Sequence, residues 1–295
     1  MSVRTIMNNG ASSNRVDIVF LGDGYTSSEL ATTYTNHVNS LVSYLFNDSL
    51  LTEPFGRYES FFNVHLIDVV SNQSGADNPG TGTVHDTALD STYFYDGTTE
   101  RLLYVDDSAA NSALAAGLSG TSVDADMKFV TVNETKYGGG GGTYAVYAGG
   151  NTSALEIAVH EVGHSFAHLA DEYGGSGSYS GSEPSAVNVT KDSSGSKWSE
   201  WLGYEQDGIG TIGAYEGGIY VDQGIYRPSQ NSKMRSLEQP FDALSREAFI
   251  LEFYQHVDPL DSYSFQGTSG TLTDISSLSV TPIDTDVITT DWYVN

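Results

Sequence analysis

Two histidines four residues apart, His160 and His164, with Glu161 beside the first, stand in the stretch AVHEVGHSFAHLADEY at 158–173. Four residues make about one turn of α-helix, about 6 Å along the axis, so both imidazoles can face one ion and bind it at about 2.0–2.1 Å. Glu161 then falls toward the neighbouring side of the cleft, where a carboxylate can take a proton from a metal-activated water without ligating the metal itself. Zinc lowers the pKa of such a water to about 7. The chemistry to which this spacing points is metal-assisted hydrolysis.

A third ligand is needed, and the carboxylates that follow are the candidates. Asp171 lies seven residues beyond His164, and an unbroken helix would carry it about 10.5 Å further along the axis, too far to share an ion. The helix must therefore stop near Ala167–Ala170 and the chain fold back to deliver Asp171 or Glu172, a bend that Gly174 and Gly175 make easy. Asp171 is the preferred ligand. The competing role for either carboxylate is to orient a ligand imidazole through its free N–H. His168 ranks lower, because three histidines stepped along one straight face would not converge on a tetrahedral ion.

The elements that must position these residues are legible from apolar spacing. Leu155, Ala158, Val159, Val162, Phe166 and Leu169 recur at helical steps through 153–170, with Ser153 as a candidate cap. Short apolar runs at Val16–Leu21, 61–70 and 127–134 read as buried strands, and 101–118 contains a helix. Thr26 and Glu29 have capping-box spacing ahead of a second helical pattern, Leu30, Tyr34, Val38, Leu41 and Leu45. A further helix spans 241–257. Alternating strands and helices predict an α/β layer. The glycine run at 137–150 has no Lys-Ser/Thr after it and so is no phosphate loop; it is either a connector or an edge strand that a peptide can approach closely.

Composition narrows the partners. The 295 residues carry 12 Lys+Arg against 38 Asp+Glu, a formal charge of −26, which repels phosphate backbones and anionic lipid, so nucleic acid is not an expected partner. With no cysteine, a transition-metal site must be built from His and carboxylates. No run of about 18 apolar residues appears, and MSVRTIMNNGASSN lacks a signal-peptide core, so the chain is read as soluble, either cytoplasmic or exported with its signal already removed.

The stretch HEVGHSFAHLADEY closely resembles the HExGHSFxxLxDEY signature of the IgA-peptidase family of bacterial zinc metallopeptidases, a metzincin-like group. Further blocks in family order extend the resemblance over roughly 14–257: VDIVFLGDGYT, FNVHLIDVVS, VNETKYGGGGG, KWSEW, GAYEGGIY and YRPSQNSKMRSL. The resemblance implies a zincin-like α/β (α+β) fold. Its mixed sheet and active-site helix would form an upper subdomain at about 1–170, and an irregular lower subdomain at about 171–261 would hold a Met-turn and the C-terminal helix. Residues 262–295 would be a β-rich tail, a linker or the start of a further module. Met234 matches the Met-turn position. Metzincin-like enzymes place their third ligand six residues after the second histidine, where this chain has Ala170, and the helix-ending glycine they carry is missing. Tyr173, Tyr220 and Tyr226 are candidates to donate to the tetrahedral oxyanion, and Glu172 to support the ligands.

The expectation is therefore a secreted, periplasmic or cell-surface bacterial zinc endopeptidase acting on proteins or glycoproteins. One Zn2+ would be held by His160, His164 and Asp171, with Glu161 as general base and the chain most simply a monomer. The rival is a zincin scaffold kept as a non-catalytic glycan- or protein-binding module.

Overall fold

The computed structural model describes residues 1–47, 49–264, 277–284 and 286–291. Its centre is a six-stranded mixed sheet. In chain order the strands are β1 (Val3–Asn8), β2 (Val16–Asp23), β3 (Phe62–Ile67), β4 (Met127–Val132), β5 (Gly139–Gly141) and β6 (Ala145–Ala148). Across the sheet the order is β1-β3-β2-β4-β6-β5. The four inner strands run parallel, while β1 and β5 close the two edges antiparallel. Every residue of β2 and β3 is buried, which is why these strands read as continuous apolar runs: a parallel sheet covered on both faces has no polar side to show.

Each face has its own core. Ile18 and Phe20 of β2 join a cluster with α1 (Thr35–Leu45), α3 (Ala154–Ser165) and α4 (Ala243–His256), whereas Val19 and Leu21 point the other way, toward α2 (Asp107–Leu118). The alternation along one strand divides the layers. Thr26 and Glu29 form one half of the predicted box, with the Thr26 N–H donating to Glu29 Oε2 at 2.8 Å, but the Thr26 hydroxyl donates to the same oxygen and does not cap the Glu29 N–H; a π-helical turn at Leu30–Tyr34 then precedes α1.

Two packing relations fix α3. Phe166, at its C-terminal end, stacks on Phe249 and lies tilted against Phe253 of α4, at ring-centroid distances of 6.3 and 6.0 Å. On the other side β5 lies flat against it. A Cβ on Gly141 would come 2.6 Å from His164 Cβ, so only glycine allows the edge strand this close to the helix. The run at 137–150 is thus an edge strand and its return, β5 and β6, and not a loose connector.

Beyond α3 the chain is largely irregular. A short pair, β7 (Glu205–Gln206) and β8 (Gly210–Thr211), precedes the hairpin β9 (Tyr215–Gly218) and β10 (Val221–Arg227). After α4, β11 (Leu260–Tyr263) pairs with β12 (Val280–Pro282), and Ile283, Val287 and Ile288 pack on the α1/α3/α4 core. Of the expected tail at 262–295, residues 265–276, 285 and 292–295 lie outside the described residues. No helix among the described residues is long and apolar enough to cross a membrane.

Candidate metal centre and active site

α3 ends sooner than its apolar spacing predicts, at Ser165 rather than near 170. His168 adopts a left-handed conformation with φ of 55°, taking the bend where a glycine was expected, and the Leu169 N–H reaches back to the Gly163 carbonyl at 2.9 Å. Asn188 then clamps the returning chain, accepting from the Ala170 N–H at 2.9 Å and donating to the Ala170 carbonyl at 2.8 Å. Asp171 is swung back toward the helix face.

The result is a triangle. His160 Nε2 and His164 Nε2 are 3.2 Å apart, and Asp171 Oδ1 lies 3.2 Å from each. Donor atoms bound at about 2.1 Å around one tetrahedral ion are themselves about 3.4 Å apart, so these three are spaced as ligands of one metal. His160 Nδ1 meets the Lys233 carbonyl at 2.9 Å and His164 Nδ1 the Leu169 carbonyl at 2.7 Å. Those bonds assign the ring protons to Nδ1 and leave both Nε2 lone pairs facing the carboxylate. Asp171 Oδ1 is buried and accepts no well-aligned hydrogen bond, so its 3.2 Å contacts are electrostatic. When both rings are neutral, three electron-rich atoms converge here, and a divalent cation in place of a proton would satisfy all three. Two imidazoles, a carboxylate and no thiolate suit zinc.

Electrostatics agree. Burial opposes a charge on His164, but Asp171 outweighs it and pushes the imidazole up to about 9. Burial likewise penalises the Asp171 carboxylate, yet the two histidines hold it well below the ordinary carboxylate range. This corner of the protein therefore attracts positive charge strongly.

Glu161 is a second carboxylate within reach, since it and the two histidines bring ligand atoms within 4.8 Å of one another. Asp171 Oδ1 is the carboxylate oxygen 3.2 Å from each imidazole nitrogen, and Glu161 lies beside that triangle. Glu161 is buried, and burial raises its pKa against the pull of His160 and His164. Its carboxylate faces the glycines of β5: a Cβ on Gly141 would lie 3.0 Å from Glu161 Oε2.

The surrounding residues fall into place unevenly. Tyr173 Oη stands 3.4 Å from His160 Nε2, and Tyr220 Oη donates to Asp171 Oδ2 at 2.5 Å, holding the carboxylate oxygen that faces away from the histidines. Glu172 points the other way. It is fully buried, accepts from Ser232 Oγ at 2.7 Å and Asn188 Nδ2 at 3.0 Å, and so ties the returning chain to the turn at 232–234. Tyr226 Oη sits 3.5 Å from Glu216 Oε1 and, among the described residues, makes no hydrogen bond to the site's side chains. Met234 lies beneath α3, buried, against Gly163.

Three contributors were not foreseen from sequence. Lys233, buried beside Met234, pairs with Glu156 of α3 at 2.5 Å while its carbonyl holds His160. Asn188 sits in a stretch without period. Arg101 stands with its guanidinium carbon 6.0 Å from the Tyr173 ring centroid. Nothing in their neighbourhood marks Asn188 or Arg101, and Lys233, though it adjoins Met234, shows no role in sequence because its pairing with Glu156 arises only through tertiary folding.

The family model described as IgA Peptidase M64 matches residues 5–211, more than half of the chain. The chain belongs to the IgA Peptidase M64 family. No curated protein matches it. An M64 peptidase hydrolyses peptide bonds, so proteins are its substrates. M64 peptidases are metallopeptidases, and the His160, Glu161 and His164 group is one that could hold the ion. The matched stretch carries the helix and Asp171 and ends before Met234.

Proposed function

We propose that this M64 chain is a zinc-dependent endopeptidase, with zinc held by His160, His164 and Asp171 and Glu161 as general base. The observation that carries the reading is the triangle of His160 Nε2, His164 Nε2 and Asp171 Oδ1, each 3.2 Å from the other two. Zinc bound there would supply Lewis acidity toward the scissile carbonyl and acidify the attacking water. Glu161 takes the proton from that water and hands it to the leaving amine; its raised pKa suits a group that must both accept and donate near neutral pH. Tyr173, near His160, is placed to donate to the oxyanion. Met234 serves as the apolar floor of a Met-turn.

In this reading residues 1–170 act as an upper, zincin-like subdomain and 171–261 as a lower one, with the peptide lying between them near β5. We assign the enzyme to the outside of a bacterial cell on its family resemblance. Glu161→Gln tests the reading: the variant should bind zinc as the parent does and lose about 10²–10⁴ in kcat on a denatured protein substrate. Retained, chelator-insensitive turnover would contradict it and favour a different reaction centre.

A further inference from the structure

Resting on the peptidase reading above, we propose that Arg101 anchors substrate in the cleft and that the enzyme favours peptides with an acidic side chain close to the scissile bond. Arg101 reaches the site through a backbone bridge. The Gly139 N–H donates to the Arg101 carbonyl at 3.2 Å, and the Leu103 N–H to the Gly139 carbonyl at 3.2 Å. Residues 101–103 therefore run along the outer edge of β5, next to the glycines that face Glu161 and His164.

The guanidinium is exposed and lies beside two tyrosines that touch the metal triangle. Its carbon is 6.0 Å from the ring of Tyr173, whose hydroxyl is 3.4 Å from His160 Nε2. It also neighbours the hydroxyl of Tyr220, which bonds Asp171. Both acids of the site are already engaged, Asp171 by the two histidines and Tyr220, and Glu161 as the buried base against β5.

Among the described residues Arg101 forms no salt bridge, unlike Arg4, Arg15 and Arg246, each of which pairs with an Asp or Glu, and its charge reaches the Glu161 carboxylate only at longer range. An exposed arginine with no carboxylate in salt-bridge contact among the described residues, its charge beside Tyr173 and Tyr220, is a receptor for a carboxylate. Its planar fork can donate to both oxygens of a carboxylate. The net charge of −26 repels acidic peptides at long range. A local cation is what would let such a peptide settle.

The test is a pool of synthetic decapeptides in which Glu and Gln alternate at each position. Cleavage by zinc-loaded wild type, Arg101→Gln and Arg101→Lys is read by mass spectrometry as kcat/KM for each acid and amide pair. Wild type should prefer the acid by about tenfold or more at one position. Arg101→Gln should bring that ratio to about one while still cleaving the amide peptide, and Arg101→Lys should keep part of it. A wild-type ratio near one, or a ratio unchanged in Arg101→Gln, overturns the proposal. So does an equal loss of kcat on acid and amide peptides, which would mean that Arg101 only orients Tyr220. Binding of the same pools to Glu161→Gln, with and without Arg101→Gln, reads the preference without turnover. If wild type cleaves nothing, the endopeptidase reading fails, and the binding ratio still decides the role of Arg101.

Discussion

The sulfur of Met234 occupies the space where a side chain on Gly163 would begin: a Cβ built there lies 2.6 Å from Met234 Sδ. Gly163 is the residue between the two histidine turns of α3, and Met234 is fully buried beneath it. The same turn offers the Lys233 carbonyl to His160 Nδ1 and the Met234 carbonyl to the Glu172 N–H. One short segment therefore sets the height of the helix, the tautomer of one ligand ring and the path of the chain beside Asp171.

Gly163→Ala should overpack this contact and cost about 1–3 kcal/mol of stability in urea unfolding. Met234→Ala alone should cost about 2–5 kcal/mol by opening a cavity. In the double variant the two costs should be clearly less than additive, because the methyl fills the space that the sulfur leaves. Additive costs would show that Met234 and Gly163 do not share that space.

Asp171 and Glu172 are neighbours in sequence that face opposite ways, Asp171 toward the two histidines and Glu172 toward Ser232 and Asn188. Asp171→Ala should weaken zinc binding by more than about a hundredfold, since loss of a mere supporting group costs about 10–100-fold. Glu172→Ala removes the buried acceptor of one hydrogen bond from Ser232 and one from Asn188. It should lower stability by about 1–3 kcal/mol while shifting zinc affinity less than about tenfold. Competition with a chromophoric chelator and thermal melts on both variants separate the roles, and a reversed pattern would exchange the assignments.

The metal-free protein should lose stability as pH rises above neutrality. Folding lifts His164 from an ordinary value of 6.5 to about 9. The stabilisation it gives is thus fully present below about 6.5 and is lost as pH climbs through about 9. Asp171 is shifted the opposite way, so its contribution holds above its ordinary 3.8 and fades only as pH falls below that value. In chelator, the melting temperature should therefore decline by several degrees between about pH 6.5 and 9. Zinc replaces the proton and removes the decline. A flat chelated profile would mean that His164 carries no such proton.

Much of this site is written locally and some of it is not. The His160–His164 step is a property of one helix, and β2, β3 and β4 announce themselves as unbroken apolar runs because both of their faces are covered. β1 is an edge strand with half-exposed residues in no clean alternation, and its pattern carried no signal. The end of α3 was misplaced because a histidine, not a glycine, takes the left-handed bend. Periodicity cannot report a conformation that Asn188, nearly twenty residues on, helps to impose. Arg101 was hidden for the same reason, since only its bridge to Gly139 brings it to the cleft.

The most direct test is anomalous diffraction at the zinc edge from zinc-loaded crystals of the full chain. A single peak about 2.0–2.1 Å from His160 Nε2, His164 Nε2 and one oxygen of Asp171, with Glu161 unligated, is the predicted result. A peak bound by Glu161 in place of Asp171, or zinc found only elsewhere while the two imidazoles stay unligated, would contradict it.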